Sequence, residues 1–460
     1  MSTDPGSFRD PAGVVVHAEG RVYRVVSPAG AAQYELARDS GLLPTLVADG
    51  RLVPFDEADP RTLKDRIAGT VSHLLALPTL DFISWPYEWP FPALRAAAML
   101  HLDIHLAALE RGLTLADASA FNIQFQGTMP IFIDHLSFRG YRPGEYWHGH
   151  RQFCEQFLNP LLLRAACGIP HHAWYRASMS GITGAELSRA LPWYRKLSPL
   201  VFLHVVLPDL LQHRHAGDPE TARPNRPLPR SSFTAMLAGL RRGIARLDAR
   251  PDAASVWTGY AGNTSYRPGE AAAKLQFVRE YVEHTRPRVV WDLGCNTGDF
   301  AFACLEAGTE LVIGFDSDAS VVDRAWERAH ASGRRFLPLF MDVTNPSPSQ
   351  GWRETERAGL ARRRKPDGLL ALALLHHLVI RHNIPLPDAV DWLVEQAPGG
   401  VIEFVPKTDP MVVKLLALRE DIFPDYGLEQ FRSLLARRAR IVRETALAPT
   451  GRALVWYSRA

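Results

Sequence analysis

Residues 289–318 read VVWDLGCNTGDFAFACLEAGTELVIGFDSD, and no other stretch constrains the fold of this chain as much. The run 289–293 is short and Val-rich, as a buried parallel strand requires. Gly294 and Gly298 let the chain turn sharply and bring bare backbone N–H groups towards a ligand. Phe300, Phe302, Leu305 and Ala307 supply the apolar positions of a helix, and residues 312–315 make a second strand that ends at Asp316. An acid at that address can accept both hydroxyls of an adenosine ribose. A dinucleotide site would carry G-x-G-x-x-G. Here Asn296 replaces the middle glycine, Phe300 is bulky and Asp299 adds negative charge, which disfavours NAD. A lone glycine turn also fits an unrelated α/β protein, so the remainder of this half has to decide.

The order continues in register. After the second strand come SVVDRAWERAHASG, a helix, and RFLPLFMD, a strand ending at Asp342. An arginine-rich amphipathic helix is expected over 352–364, then the strand GLLALALLHHL, a helix over 386–395 and the strand GGVIEFVP. Two β-like runs, 441–445 and 453–457, are joined by LAPTGR as a hairpin. Alternating strands and helices imply a parallel sheet covered on both faces.

The string DLGCNTG resembles motif I of the class I S-adenosylmethionine (SAM)-dependent methyltransferases. That resemblance covers residues 255–460 and implies a Rossmann-like seven-strand sheet closing in an antiparallel hairpin. It further implies SAM as cofactor, held by Tyr266, Lys274, Asp292, Gly294, Asn296, Gly298, Asp316, Asp342 and Leu374. Tyr266 and Lys274 would close over the methionine carboxylate, Asp316 would take the ribose and Asp342 the adenine amine. NPSPSQGW, LALALLHHL and IEFVPKTDPMV resemble a bacterial subgroup related to the nodulation and host-specificity methyltransferases.

At 460 residues the chain has room for two or three domains, each with its own core. A formal charge of +3 from nearly balanced acids and bases gives no strong nucleic-acid signal. Arg241, Arg242 and Arg246, residues 362–365, and Arg437, Arg438 and Arg440 read as solvated helix faces. The first ten residues lack an apolar signal core and no run approaches a membrane span, so a cytoplasmic chain is expected. Cys154, Cys167, Cys295 and Cys304 show neither metal-ligand nor disulfide spacing; they read as buried thiols, and no metal site is expected. Nothing in the sequence speaks to oligomeric state. The polar, proline-rich stretch 212–232 suits a connector, dividing the chain into 11–211 and 233–460.

The N-terminal half holds a second informative string, LTLADASAFNIQFQGTMPIFIDHLSF. Asp117 and Asn122 are spaced D-x-x-x-x-N, and a hairpin-like stretch leads to Asp134 at the end of IFID. The pattern resembles the catalytic loop and metal-binding acid of the protein-kinase-like phosphotransferases, which implies an α+β kinase-like domain. VYRVV would be a small-lobe strand, DFISWPYEWPF a hinge and ALRAAAMLHLDIHLAALERG the long helix before the loop. The departures mark the domain as degenerate. Leu115 and Ala116 stand in place of His-Arg, His135 and Leu136 in place of Phe-Gly, and no phosphate-covering glycine loop appears. Lys64 is off the plausible small-lobe strands, leaving Arg24, with Glu35 on the next helix, as a stand-in for the phosphate-binding lysine. The same residues also fit a helical α+β domain in which Asp117 and Asn122 cap loops.

Methyl transfer to oxygen or nitrogen needs an aligned nucleophile and a group to take its proton. The acceptor should sit beyond the C-terminal strand ends, where His376, His377, Glu403 and the Tyr426 region fall. The two histidines have the best address for a base. The expectation is methylation of a small-molecule or glycan acceptor, with the N-terminal domain binding it. Two alternatives remain: a bifunctional methyltransferase and kinase, and a SAM-binding protein without turnover.

Overall fold

The computed structural model describes residues 1–63, 69–214, 227–250, 268–417, 419–447 and 450–459. Lys64, Tyr266 and most of the expected connector lie outside the described residues. The chain forms two compact units, Met1–Ala253 with Pro348–Arg363, and Ala254–Ser347 with Arg364–Ala460. Among the described residues no helix is long and apolar enough to cross a membrane.

In the first unit, β1 (Ser2–Thr3), β2 (Gly13–Ala18), β3 (Arg21–Val26), β4 (Asp56–Ala58) and β5 (His73–Leu77) form an antiparallel sheet of order β1-β2-β3-β5-β4. Its inward positions Val16, Tyr23, Val25 and Leu74 pack together with Leu63. The helix Pro28–Asp39 follows β3, and a single turn at Pro86–Glu88 leads into the long helix Phe91–Glu110. That helix is buried nearly all round, which its Ala- and Leu-rich sequence permits. Beyond it, β6 (Leu113–Leu115) pairs with β9 (Phe138–Gly140), and β7 (Ile123–Gln126) with β8 (Met129–Phe132) as a hairpin across Gly127, which sits at φ 61°.

Two sequence expectations are corrected here. The helix Arg230–Ala245 packs in the first unit, where Arg241 pairs with Asp103 and Phe233 meets His105 edge-on at 5.4 Å. The first unit therefore extends past the expected start of the second domain at residue 233. The amphipathic helix expected over 352–364 does not form. The segment makes only single turns at Trp352–Glu354 and Leu360–Arg362, broken by Gly351 at φ 81° and by Arg353 and Glu354 in the left-handed region. Two of its arginines, Arg357 and Arg363, turn inward, while Arg353, Arg362 and Arg364 stay exposed. Arg363 forms a bidentate ion pair with Glu88 at 2.7 and 2.8 Å, and Arg357 lies 4.5 Å from the centre of the Phe121 ring. Side chains read as a solvated face thus tie Pro348–Arg363 into the first unit, although that segment lies between two strands of the second.

The second unit contains β10 (Val289–Leu293), β11 (Leu311–Asp316), β12 (Phe336–Phe340), β13 (Gly368–Ala371), β14 (Gly399–Phe404), β15 (Arg440–Leu447) and β16 (Arg452–Ser458). They form one sheet of order β12-β11-β10-β13-β14-β16-β15. The first five are parallel, and the terminal β15–β16 hairpin runs antiparallel, as LAPTGR predicts. Every residue of β10 is buried, as expected of a central strand covered on both faces. The switch in strand direction of connection lies between β10 and β13, so a crevice is expected at their C-terminal ends.

Candidate functional site

The turn after β10 is built by its glycines in two different ways. Gly294 takes φ 77°, and a Cβ there would meet only a methyl of Leu374, at 3.8 Å. Its lack of a side chain leaves room for close approach to the backbone. Gly298 takes φ 92°, and a Cβ there would lie 2.4 Å from the Phe336 ring. This second glycine serves packing against β12, which corrects the expectation that both open the backbone to a ligand. Asn296, between them, is also left-handed, with φ 47°.

Asp316 closes the turn from the tip of β11. Its carboxylate accepts the Asn296 N–H and the Asp318 N–H, each at 3.0 Å. Burial lifts its carboxyl above the ordinary range, against the pull of those N–H groups. Asp318 is the N-cap of the helix Ala319–Ser332, accepting the Ser320 and Val321 N–H groups at 2.9 and 3.1 Å. It is buried. Asp292 is buried too, and its Oδ2 has no hydrogen-bond partner. Desolvation, with Asp316 and Asp299 nearby, pushes it up to about 7. Asp342 follows β12 and accepts the Thr344 N–H and hydroxyl at 2.9 and 2.7 Å.

Deeper in this unit, Glu403 on β14 is fully buried between cations. Its Oε1 lies 2.6 Å from Lys274 Nζ and 3.2 Å from Arg452, and its Oε2 accepts the Ala373 N–H at 2.9 Å. Arg452 also binds Asp409 at 2.7 Å. Lys274 and Arg452 are therefore paired with Glu403 and Asp409 in the interior. Lys274, read as a clamp on a ligand carboxylate, is engaged by Glu403, and burial lowers it to about 8. Glu403 is thus engaged by Lys274, Arg452 and the Ala373 N–H, as the anion of an internal network. Arg452 and Asp409 were missed. The signal was an arginine at the head of the apolar run RALVWY.

His376 and His377 stand on the first turn after β13, their rings 4.2 Å apart. Burial holds His376 well below the usual imidazole range and His377 at about 4, so both are neutral at physiological pH. The His376 Nδ1 has no hydrogen-bond partner. Tyr426 is buried and donates to the Val405 carbonyl at 2.8 Å.

In the first unit the three residues picked from the sequence meet. Asn122 Nδ2 donates to Asp117 at 3.0 Å and to the Ser137 hydroxyl at 3.4 Å, and that hydroxyl donates to Asp134 at 2.6 Å. Arg24 on β3 reaches Asp134 at 3.2 Å and also pairs with Asp10. Glu35 instead pairs with His73 at 2.8 Å, so the expected Arg24–Glu35 partnership does not form. Burial alone would raise Asp134, but the Arg24 charge, the Ser137 hydroxyl and the Leu136 N–H bring it below the ordinary range. Burial and Asp134 raise Asp117.

No family model matches the chain. Nodulation protein NoeA of Rhizobium meliloti (strain 1021) is 44% identical over 462 residues, spanning 99% of this chain and 96% of that protein. The chain belongs to the NoeA family. The match runs through both units of this chain. Partial likenesses to solved structures are found as well. Magnesium protoporphyrin IX methyltransferase from Synechocystis PCC 6803 with bound SAH is 18% identical, covering 44% of this chain and 93% of its own, with a TM-score of 0.32. The N-methyltransferase NodS from Bradyrhizobium japonicum WM9 with S-adenosyl-L-homocysteine is 12% identical, covering 42% and 88%, with a TM-score of 0.31.

Proposed function

We propose that the second unit binds SAM and transfers its methyl group to an oxygen or nitrogen acceptor on a small molecule or glycan. The observation that carries this reading is the pairing of the open Gly294 turn with Asp316 at the tip of the adjacent strand. The donor set fits the cofactor. Asp316 offers carboxylate oxygens to two ribose hydroxyls, and Asp342 stands at the end of the next strand for the adenine amine. The buried, unpartnered Asp292 oxygen suits the positive ammonium or sulfonium of SAM and would be badly placed beside phosphate. SAM supplies an activated methyl group, and the chain supplies alignment, exclusion of water and a proton acceptor. His376 and His377 fit the last role as neutral imidazoles, though their lowered basicity suits an acceptor that loses its proton late. Glu403 acts through structure, fixing the backbone at Ala373 just ahead of Leu374.

The first unit, in this reading, binds the acceptor with a degenerate kinase-like fold. Its Asp117, Asn122 and Asp134 cluster also favours a second reading, phosphoryl transfer to the same acceptor, with Arg24 in place of the phosphate lysine. S-adenosylhomocysteine release should be followed with the full chain across metabolite and oligosaccharide pools. Release that depends on acceptor and on Asp316 supports the first reading, and SAM binding without release under any acceptor favours a sensor. Phosphate transfer from labelled ATP that Asp134→Ala abolishes would establish the second.

A further inference from the structure

Away from both clusters, the first unit gathers His150, Cys154 and His204, the one such trio of metal-ligating side chains among the described residues. His150 Nε2 lies 2.9 Å from His204 Nδ1 and 3.7 Å from Cys154 Sγ, and the three ligand atoms lie within 4.8 Å of one another. A tetrahedral ion with bonds of about 2.0–2.1 Å to nitrogen and about 2.3 Å to sulfur needs N···N near ~3.3 Å and N···S near ~3.6 Å. The two separations made by His150 are within about 0.4 Å of that shape, and the third pair lies within 4.8 Å. It also combines what such an ion selects, two imidazoles and one thiol.

The local backbone is unusual at both contributors. Cys154 begins a π-helical turn, Cys154–Leu158, and His204 lies inside another, Phe202–Val206. Such turns insert an extra residue into a helix and concentrate at functional sites. His150 and His204 line a cavity of about 1050 Å³ that Arg242 and Arg246 also line, whereas Cys154 is buried behind them.

We propose that His150, Cys154 and His204 bind a zinc-class divalent ion whose remaining coordination position faces this cavity. His150 and His204 each offer a ring nitrogen lone pair to the ion. The Cys154 thiol must ionise: the S–H bond breaks, a sulfur–metal bond forms and one proton leaves to solvent. Arg242 and Arg246 favour an anionic group at the open position. The site does not depend on methyl transfer by the second unit.

Cobalt(II) is the probe, titrated into the reduced full-length chain after chelation. Saturation at one ion per chain is expected, with a thiolate-to-cobalt band in the near ultraviolet, tetrahedral visible bands and release of about one proton per ion. Cys154→Ser should remove the sulfur band. His204→Ala, at a half-buried position, should weaken binding at least ~10-fold with its circular dichroism unchanged. The wild-type titration decides the matter without a variant: no saturable binding, or a six-coordinate spectrum lacking the sulfur band, overturns the site. So does a sulfur band that survives in Cys154→Ser.

Discussion

The two acidic clusters differ in what answers their charge. In the first unit Asp134 already has Arg24, the Ser137 hydroxyl and the Leu136 N–H, and Asp117 has Asn122. In the second unit Asp292 is buried with an oxygen left unpartnered, and Asp316 receives backbone N–H groups without a cation. Buried charge without a counterpart costs stability, and a chain keeps such a group where a ligand completes it. The first cluster is thus organised by the protein itself, the second for something that arrives. Removing acids should chiefly affect folding in one unit and binding in the other.

The largest effect is expected away from either cluster, where Arg363 and Glu88 are both nearly inaccessible to solvent. Arg363→Ala leaves Glu88 buried without its cation and should cost about 3–5 kcal/mol in calorimetric unfolding of the full chain. A loss below ~1 kcal/mol would mean that the 348–363 segment is only loosely held. Arg24→Ala comes next at about 2–4 kcal/mol, because Asp134 and Asp10 keep some access to water. If that variant melts like wild type, the internal neutralisation of the first cluster is wrong.

Titration then gives the comparison a sign. Asp134 lies below its ordinary range, so its contribution is present above an unfolded pKa of about 3.9 and fades as pH falls through its folded value. Asp292 lies at about 7, so the native state favours its protonated form. Its contribution is present below an unfolded pKa of about 3.9 and is lost as pH rises to about 7. Asp134→Asn should flatten the acid limb of stability, and Asp292→Asn should flatten the opposite slope and leave the chain more stable near pH ~8. Matching slopes in the two variants would erase the distinction. The smallest effect belongs to Asp318→Ala, which removes a helix cap at about 1 kcal/mol, read from the melting midpoint.

The sequence was most legible where local pattern and tertiary demand coincide. The parallel strands show as short apolar runs, and the closing hairpin shows in LAPTGR, because both signals are read within a few residues. The meeting of Asp117, Asn122 and Asp134 was legible only through the resemblance of their pattern to a kinase-like loop, and a short hairpin lies between Asn122 and Asp134. Residues 352–364 misled for the opposite reason. Their arginines look like a solvated helix face, yet Arg357 and Arg363 find aromatic rings and Glu88 from residues more than two hundred positions away. Lys274, Arg452 and the Glu403–Asp409 pair likewise come from three separate segments, so no local pattern announces the network. The same holds for His204 beside His150 and Cys154.

The central claim is that the Gly294 turn and Asp316 hold SAM, and calorimetry with SAM on Asp316→Ala and Asp318→Ala tests it most directly. Asp316→Ala removes two charge-assisted hydrogen bonds, which water partly replaces, so a loss of about 2–4 kcal/mol, or ~30-fold to nearly ~1,000-fold in affinity, is expected. Asp318→Ala should bind SAM within a few fold of wild type, as Asp318 serves as the N-cap of the helix Ala319–Ser332. Equal small losses in both variants, or a larger loss at Asp318, would contradict the account.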